Sequence, residues 1–370
     1  MKVTINKNVL IEALKFSNNI ISNNISNAAL SCVLLEITDT DFKVISSNGI
    51  ISSVYKIKEN IDIESPGKIL VKGKLFFNIV SKIKEENIDL EEIDSSLQIK
   101  TKNYISNINT LDHSSFPNID FDSTGWTQIK LNSKTLSTAV KKVSHSALQQ
   151  IERVNRLNGI YFDSESEKNV LRIVATDSFK LSVFKTSYEG DPFKFLINAN
   201  VMNLISSFLK LNEEVTFLTK NKNVMIETKD FILSCNVIDS DYPKIDSLIN
   251  CSGETTLKIS RHKLIEALDR VITFAISEKS SICNIKITNS VFSIKYKSLE
   301  LGSSKEDIVI DDFTGQPIEF SVNASFLVEH LKAFDHDQVI FKIEGDLKPF
   351  NLEDEEQPGF LQVLVPMRSF

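Results

Sequence analysis

The sequence predicts an α+β protein built from three similar domains, each carrying two helices on antiparallel sheets. Three observations carry this: a strand-then-helix unit that recurs at near-constant spacing, a second amphipathic helix in each third of the chain, and an aromatic-proline linker closing the first two thirds. A helix with one apolar stripe and a sheet with one apolar face bury each other, and that is the layer such a unit builds.

The first unit reads VTINKNVLIEALKFSNNI from Val3. IKLNSKTLSTAVKKVSHS from Ile129 and LKISRHKLIEALDRVITF from Leu257 align with it without gaps, at offsets of 126 and 128 residues. Each copy opens with period-two alternation (Val3 and Ile5, Ile129 and Leu131, Leu257 and Ile259), the pattern of a strand with one buried face. After a short polar link the spacing becomes helical, with Leu10, Ala13 and Leu14 matched by Leu136, Ala139 and Val140, and by Leu264, Ala267 and Leu268. Second helices are expected in KLFFNIVSKIK from Lys74, ANVMNLISSFLK from Ala199 and ASFLVEHLKAF from Ala324, each followed by strand-like sequence. The linkers DHSSFPNID and DSDYPKID set an aromatic-Pro pair ahead of the second and third copies. Proline fixes its own φ and keeps the preceding residue extended, which suits a defined exit from a domain. Domains are therefore expected over 1–122, 123–252 and 253–370.

At 370 residues the chain is long enough for two or three cores. Its 42% hydrophobic and 25% charged content fit a soluble globular protein. No apolar run approaches the ~18 residues a membrane span needs. MKVTINKNVLIEALKF alternates where a signal peptide would be continuously apolar, so a cytoplasmic location is expected. Cys32, Cys235, Cys251 and Cys283 form no C-x-x-C pair and read as reduced thiols. The net charge of −7 argues against gripping nucleic acid through overall basicity, but not against a local basic surface. Lys15, Lys82, Lys84, Lys141, Lys142, Lys210, Arg270 and Lys332 lie on or beside the polar faces of the repeat helices, while acidic residues gather in EENIDLEEID and LEDEEQPG. Such segregation can build a basic surface on an acidic protein, although solvated helix faces alone would also account for it.

Catalytic and metal chemistry finds little support. His113, His145, His262, His330 and His336 include no His-x-x-x-His pair around a Glu. GKILVKGKL separates its glycines by five residues and carries Leu75 where a phosphate loop has a hydroxyl residue. No G-x-S-x-G elbow is present. LEDEEQPGF lacks the alternating ligands of a calcium loop and reads as a solvated turn. The stretch ATDSFKLSVF from Ala175 suggests a cleft built on Asp177, Lys180 and Asp241, but the same turn recurs as VISSNGIISSVY from Val44 and IKYKSLELG from Ile294. Asp177 is then matched by Asn48 and Ser298, side chains that bond the local backbone at turns without any substrate. No metal or cofactor is expected.

With these features the chain resembles the bacterial sliding clamps, the beta subunits of DNA polymerase III. The likeness spans nearly all 370 residues and rests on the threefold repeat, RLNGIYF, ATDSFKLSV, the two linkers and the C-terminal VLVPMRSF. It implies a head-to-tail ring of two chains with helices lining a central hole, through which duplex DNA passes without sequence preference. The lysines and arginine named above become DNA-facing candidates, making weak sliding contacts to phosphates. The implied partners are the replicative polymerase, an ATP-using clamp loader and other replication and repair proteins. They would dock short peptides in a pocket between the second and third domains. Leu157, Thr176, Ser178, Phe179, Lys180 and Leu181 would form one wall, Pro243 and Ser247 part of the floor, and Val363, Leu364, Val365, Pro366, Met367 and Arg368 the other side. Apolar side chains with a soft Met suit the Leu and Phe anchors of an extended peptide. Ser178-Phe179-Lys180 replaces the family's usual Gly-His-Arg, and Asp246 or Ser247 a basic residue, so the pocket is less basic. The family's DNA-touching arginine near Asn24 is missing. Ile108 and Phe274 match apolar dimer-contact positions, with Ser106 where an aromatic is common. A repeat-built scaffold that does not bind DNA is the alternative; lysines scattered over the surface would favour it.

Overall fold

The computed structural model describes residues 1–22, 27–149, 155–277, 281–298, 300 and 302–368, with side chains at 274–277 left aside. Seven helices are present among these residues: α1 (Lys7–Asn18), α2 (Gly73–Lys82), α3 (Ser133–Val143), α4 (Ala199–Phe208), the single turn α5 (Asp246–Ile249), α6 (Arg261–Ser277) and α7 (Ala324–Lys332). The repeat units form strand-then-helix as expected, but without a polar link. The strand Lys2–Asn6 runs straight into α1, Thr127–Asn132 into α3 and Thr255–Ser260 into α6. The last strand residue doubles as the cap: Asn6, Asn132, Asn198 and Asn323 each accept the amide two residues on through the side-chain oxygen. One asparagine thus ends the strand and satisfies a free N–H of the helix, an N-cap worth about 1 kcal/mol.

The chain divides into two compact units that cut across the sequence repeats. The first comprises Met1–Lys134 and Ser207–Val237, the second Thr135–Ser206 and Ile238–Phe370. The first unit holds a five-stranded sheet and an eight-stranded sheet, the second a nine-stranded sheet and a four-stranded sheet. The reason for the division is strand pairing across repeat boundaries. In the first unit Ser52–Ile57 pairs antiparallel with Phe231–Asn236, in the register Val54 to Ile232, Ser53 to Leu233 and Ser52 to Ser234. In the second, Lys180–Ser187 pairs with Phe360–Leu364 in the register Val183 to Leu361, Ser182 to Gln362 and Leu181 to Val363. Repeat-equivalent residues meet in both, so the same junction is built twice.

Cores follow the predicted alternation. Val3, Ile5, Leu10, Ala13 and Leu14 are buried in the first unit. Leu257, Ile259, Leu264, Ala267 and Leu268 belong to one large cluster of the second, with Phe341, Phe350, Phe360 and Leu364. Beneath the first junction Phe16 packs on Phe231 (4.5 Å between centroids), Phe208 (5.0 Å) and Tyr55 (5.7 Å).

Candidate functional site: an apolar docking patch

The stretch from Thr176 to Leu181 forms a tight turn between two strands of the nine-stranded sheet. The Asp177 carboxylate accepts the amides of Phe179 and Lys180, both at 2.9 Å, and Thr176 Oγ1 donates to the Lys180 carbonyl at 2.8 Å. Asn48 accepts from Ile50 and Ile51 in the same way, and Ser298 accepts from Glu300 at 3.1 Å. Burial pushes the Asp177 carboxyl up, partly offset by those two amides. Both amides go to Oδ1, while Oδ2 lies 4.0 Å from the Lys180 ammonium, and Asp241 is exposed on another segment. Ser178 adopts φ of 79°, where its counterpart in the first copy is Gly49 at 89°.

Behind the turn lies a separate apolar cluster of Val174, Leu181, Val183, Ile245 and Val363, with half-buried Tyr161, Tyr242, Ile249 and Leu361 packed against it. Tyr161 and Tyr242 stack at 4.6 Å with an 11° interplanar angle. The linker carrying Tyr242, Pro243 and α5 is tied down by Arg172, which reaches Asp163 at 2.7 Å and Asp246 at 2.8 Å. Burial alone would raise the Asp163 carboxyl, but hydrogen bonds from Arg172 and Ser166 hold it below the usual range. Opposite, the Val365 amide donates to the Phe179 carbonyl at 2.9 Å and the Met367 amide to the Ser321 carbonyl at 2.7 Å, fixing the C-terminal segment beside the turn. The patch thus offers a buried apolar floor, half-buried Val365, Pro366 and Met367, and Phe179 at 49% exposure.

Several expected residues sit differently. Leu364 faces the large core with Phe360, because side chains alternate along a strand and Val363 takes the patch side. Leu157 is half-buried in the helical turn Arg156–Asn158, Ser247 and Arg368 are exposed, and Thr176 is buried at 7%. Lys180 is buried as well, at 6%, its ammonium held by Glu329, with Asp177 at 4.0 Å and the Phe326 ring at 4.7 Å. Tyr161, Val174, Val183, Ile245 and Leu361 were not foreseen, although alternation on either side of the turn implies Val174 and Val183. In the first unit Ser52 and Ser234 replace Leu181 and Val363 at the repeat-equivalent pair, so only the second junction pairs two apolar residues there.

A polar network underlies the patch. His330 Nε2–H donates to the Val363 carbonyl at 3.1 Å, which leaves Nδ1 to accept from His145 Nε2–H at 3.1 Å. The same His145 N–H points to Gln362 Oε1 at 2.9 Å, and Ser182 Oγ donates to that oxygen at 2.9 Å. Burial pulls His145 down to about 4 and, with His145 beside it, His330 well below the ordinary histidine range, so both are neutral.

The expected DNA-facing set divides. Lys15, Lys82, Lys84, Lys141 and Lys332 are exposed. Lys142 is not available to a phosphate: it is 5% exposed, 4.6 Å over the Phe360 ring, and bonded to the Ala333 carbonyl (2.9 Å), Gln357 (3.0 Å) and Asp335 (3.0 Å). It occupies the helix position of Phe16 and fills the equivalent nest. Lys210 is joined to Asp230 at 2.6 Å, and Arg270, at the same repeat position as Lys142, to Glu306 at 2.7 Å. Ile108 is also corrected: at 3% exposure it points into the five-stranded sheet's core, whereas Tyr104 (40%) and Ile105 (60%) present the apolar surface at that edge. The Phe274 side chain and Asn24 lie outside the described residues. Among the described residues no group of His, Cys, Asp and Glu could hold a metal ion, and no helix is long and apolar enough to cross a membrane.

Repeats that share sheets across their boundaries, with an apolar patch beside a strand-to-strand turn at one of them, define a protein of the clamp class. Family models for the N-terminal, central and C-terminal domains of the DNA polymerase III beta subunit match residues 1–120, 130–244 and 247–368. The chain belongs to that family, the bacterial beta sliding clamps. It is 31% identical over 381 aligned residues to the beta sliding clamp of Mycoplasma pneumoniae, covering 100% of both chains. The fold superposes on the beta subunit from Streptococcus pyogenes with a TM-score of 0.92 at 23% identity, and on a Pseudomonas aeruginosa sliding clamp bound to griselimycin with 0.90 at 19%, covering 100% of each chain.

Proposed function

We propose that two copies of this chain close head to tail into a ring around duplex DNA, tethering the replicative polymerase for processive synthesis. Residues 1–122, 123–252 and 253–370 serve as its three domains. The observation that carries the reading is the doubled junction. A third would use Gly302–Val309, the counterpart of Ser52–Ile57 and Lys180–Ser187, and Ile105–Asn109, the counterpart of Phe231–Asn236 and Phe360–Leu364. Among the described residues both are edge strands with one neighbour each. Carrying the register over sets Ser304 opposite the partner's Ser106 and Lys305 opposite the partner's Ile105. It also brings Arg270 to the partner's Tyr104, as Lys142 lies over Phe360. Exposed edge strands with apolar residues call for a partner strand.

Enclosure reconciles the net charge of −7 with DNA binding. A closed ring is retained topologically and needs few phosphate contacts, for which Lys15, Lys82, Lys84, Lys141 and Lys332 suffice. The protein acts without a catalytic step or cofactor of its own, in the cytoplasm, and relies on a separate ATP-driven loader to open the ring. The polymerase, the loader and repair proteins dock extended peptides with apolar anchors on the patch, and the griselimycin-bound relative supports a small-ligand site in this fold. Loading on nicked circular DNA tests the reading: the ring stays bound at about 1 M salt, where surface contacts are screened, and leaves once the circle is cut. Equal loss from circles and linear DNA contradicts enclosure.

A further inference from the structure

The docking patch has one cation buried at its turn, and the chain itself occupies that cation. Lys180 is 6% exposed, covered by Phe326, and held by Glu329, a residue of α7 whose side chain is 47% exposed. Asp177 lies 4.0 Å away on the other side. Two carboxylates therefore face one ammonium, and of the three groups only Glu329 is substantially exposed. Arg172, the other buried cation here, is likewise committed to Asp163 and Asp246. A peptide crossing the turn meets Glu329, not a free positive charge.

Resting on the reading of this patch as a peptide-docking site, we propose that Glu329 is a specificity-determining residue that excludes acidic side chains from the peptide position over the Phe179–Lys180 turn and selects neutral or apolar ones there. A peptide carboxylate at that position has to approach Glu329 against like charge or displace it from Lys180, and each route loses affinity. Phe179, at 49% exposure, offers an apolar surface to a neutral residue instead. Lys244 and Arg368 are exposed on the flanking segments and are not joined to Glu329, so the discrimination is local to the turn.

The test uses the full chain and fluorescein-labelled nine-residue peptides with Leu and Phe anchors, in which a single Asp replaces Ser at each non-anchor position in turn. Fluorescence anisotropy should show one or two positions where Asp weakens binding about tenfold, as a like-charge contact does. Glu329→Gln should cut that penalty to roughly threefold or less while leaving the all-neutral peptide within about twofold. A second variant, Glu329→Ala, removes the carboxylate, leaves Lys180 with Asp177, and keeps the test open should Glu329→Gln fold poorly; there too the penalty should fall. An Asp penalty that is absent in the unmodified chain, or that survives unchanged in both variants, overturns the proposal. Failure of every peptide to bind any of the proteins is a different result and removes the docking site itself.

Discussion

Single residues in the turn and the strand beside it show how a repeated scaffold acquires a specialised spot. Ser178 holds a positive φ that costs a residue with a Cβ about 1–2 kcal/mol, while the first copy uses Gly49 at the same place. Ser178→Gly should therefore raise stability by about 1 kcal/mol, seen as a rise of roughly 1–4 °C in Tm; no change would mean the strain is relieved elsewhere. The turn itself was legible, because Asx and Ser side chains recur at matched positions. The assignment of Leu364 to the patch was not: Val363 and Leu364 are both apolar, and which one faces the patch is set by pairing with Lys180–Ser187, far away in sequence. Burial of Lys180 was equally hidden, since its partner Glu329 is 149 residues distant.

At the level of elements, helices were the most readable features because their spacing is local, and all six long ones lie where periodicity puts them. Their polar faces misled at one position. Lys142 stands on α3 where Phe16 stands on α1, and a lysine there reads as solvent-facing until Phe360, Ala333 and Asp335 are seen around it. Removing one member of a buried ionic network leaves the others uncompensated, so Lys142→Ala should cost about 3 kcal/mol in denaturant unfolding while leaving retention of loaded protein on DNA unchanged. A loss of DNA retention without a loss of stability would return Lys142 to the DNA-facing set. The histidine network behind Val363 gives a pH dependence of defined sign. Both folded-state values lie below the ordinary 6.5, so the unfolded chain binds more protons in acid. Their contribution is fully present above pH 6.5 and declines as pH falls below it, for His145 down to about 4, by up to about 1.4 kcal/mol per pH unit per histidine. Replacing His145 with Asn should flatten the curve of stability against pH over that window, and an unaltered slope would place the titrating groups elsewhere.

For the whole molecule, threefold repetition was visible in the sequence and shared sheets were not, because pairing across a repeat boundary leaves no local trace. Two repeat boundaries are completed by a neighbouring repeat, and under the proposed function the remaining edges, Gly302–Val309 and Ile105–Asn109, are completed by a second copy of the chain. On the proposed reading the contact expected at Ile108, which is buried, falls instead to Tyr104 and Ile105, the counterparts of Phe231 and Ile232 at the first junction and of Phe360 and Leu361 at the second. The third junction is expected to repeat the first two in register. Cross-strand neighbours lie about 4.5–5.5 Å apart at Cα, within reach of a disulfide. Cysteines placed at Ser304 and Ser106, or at Ser303 and Asn107, should yield under mild oxidation a covalent dimer that survives denaturant in at least one of the two pairs. Sealed after loading, that dimer should remain on a nicked circle in detergent. A folded protein that sediments as a monomer, or that forms no cross-link at either pair while still dimerising, would contradict the account.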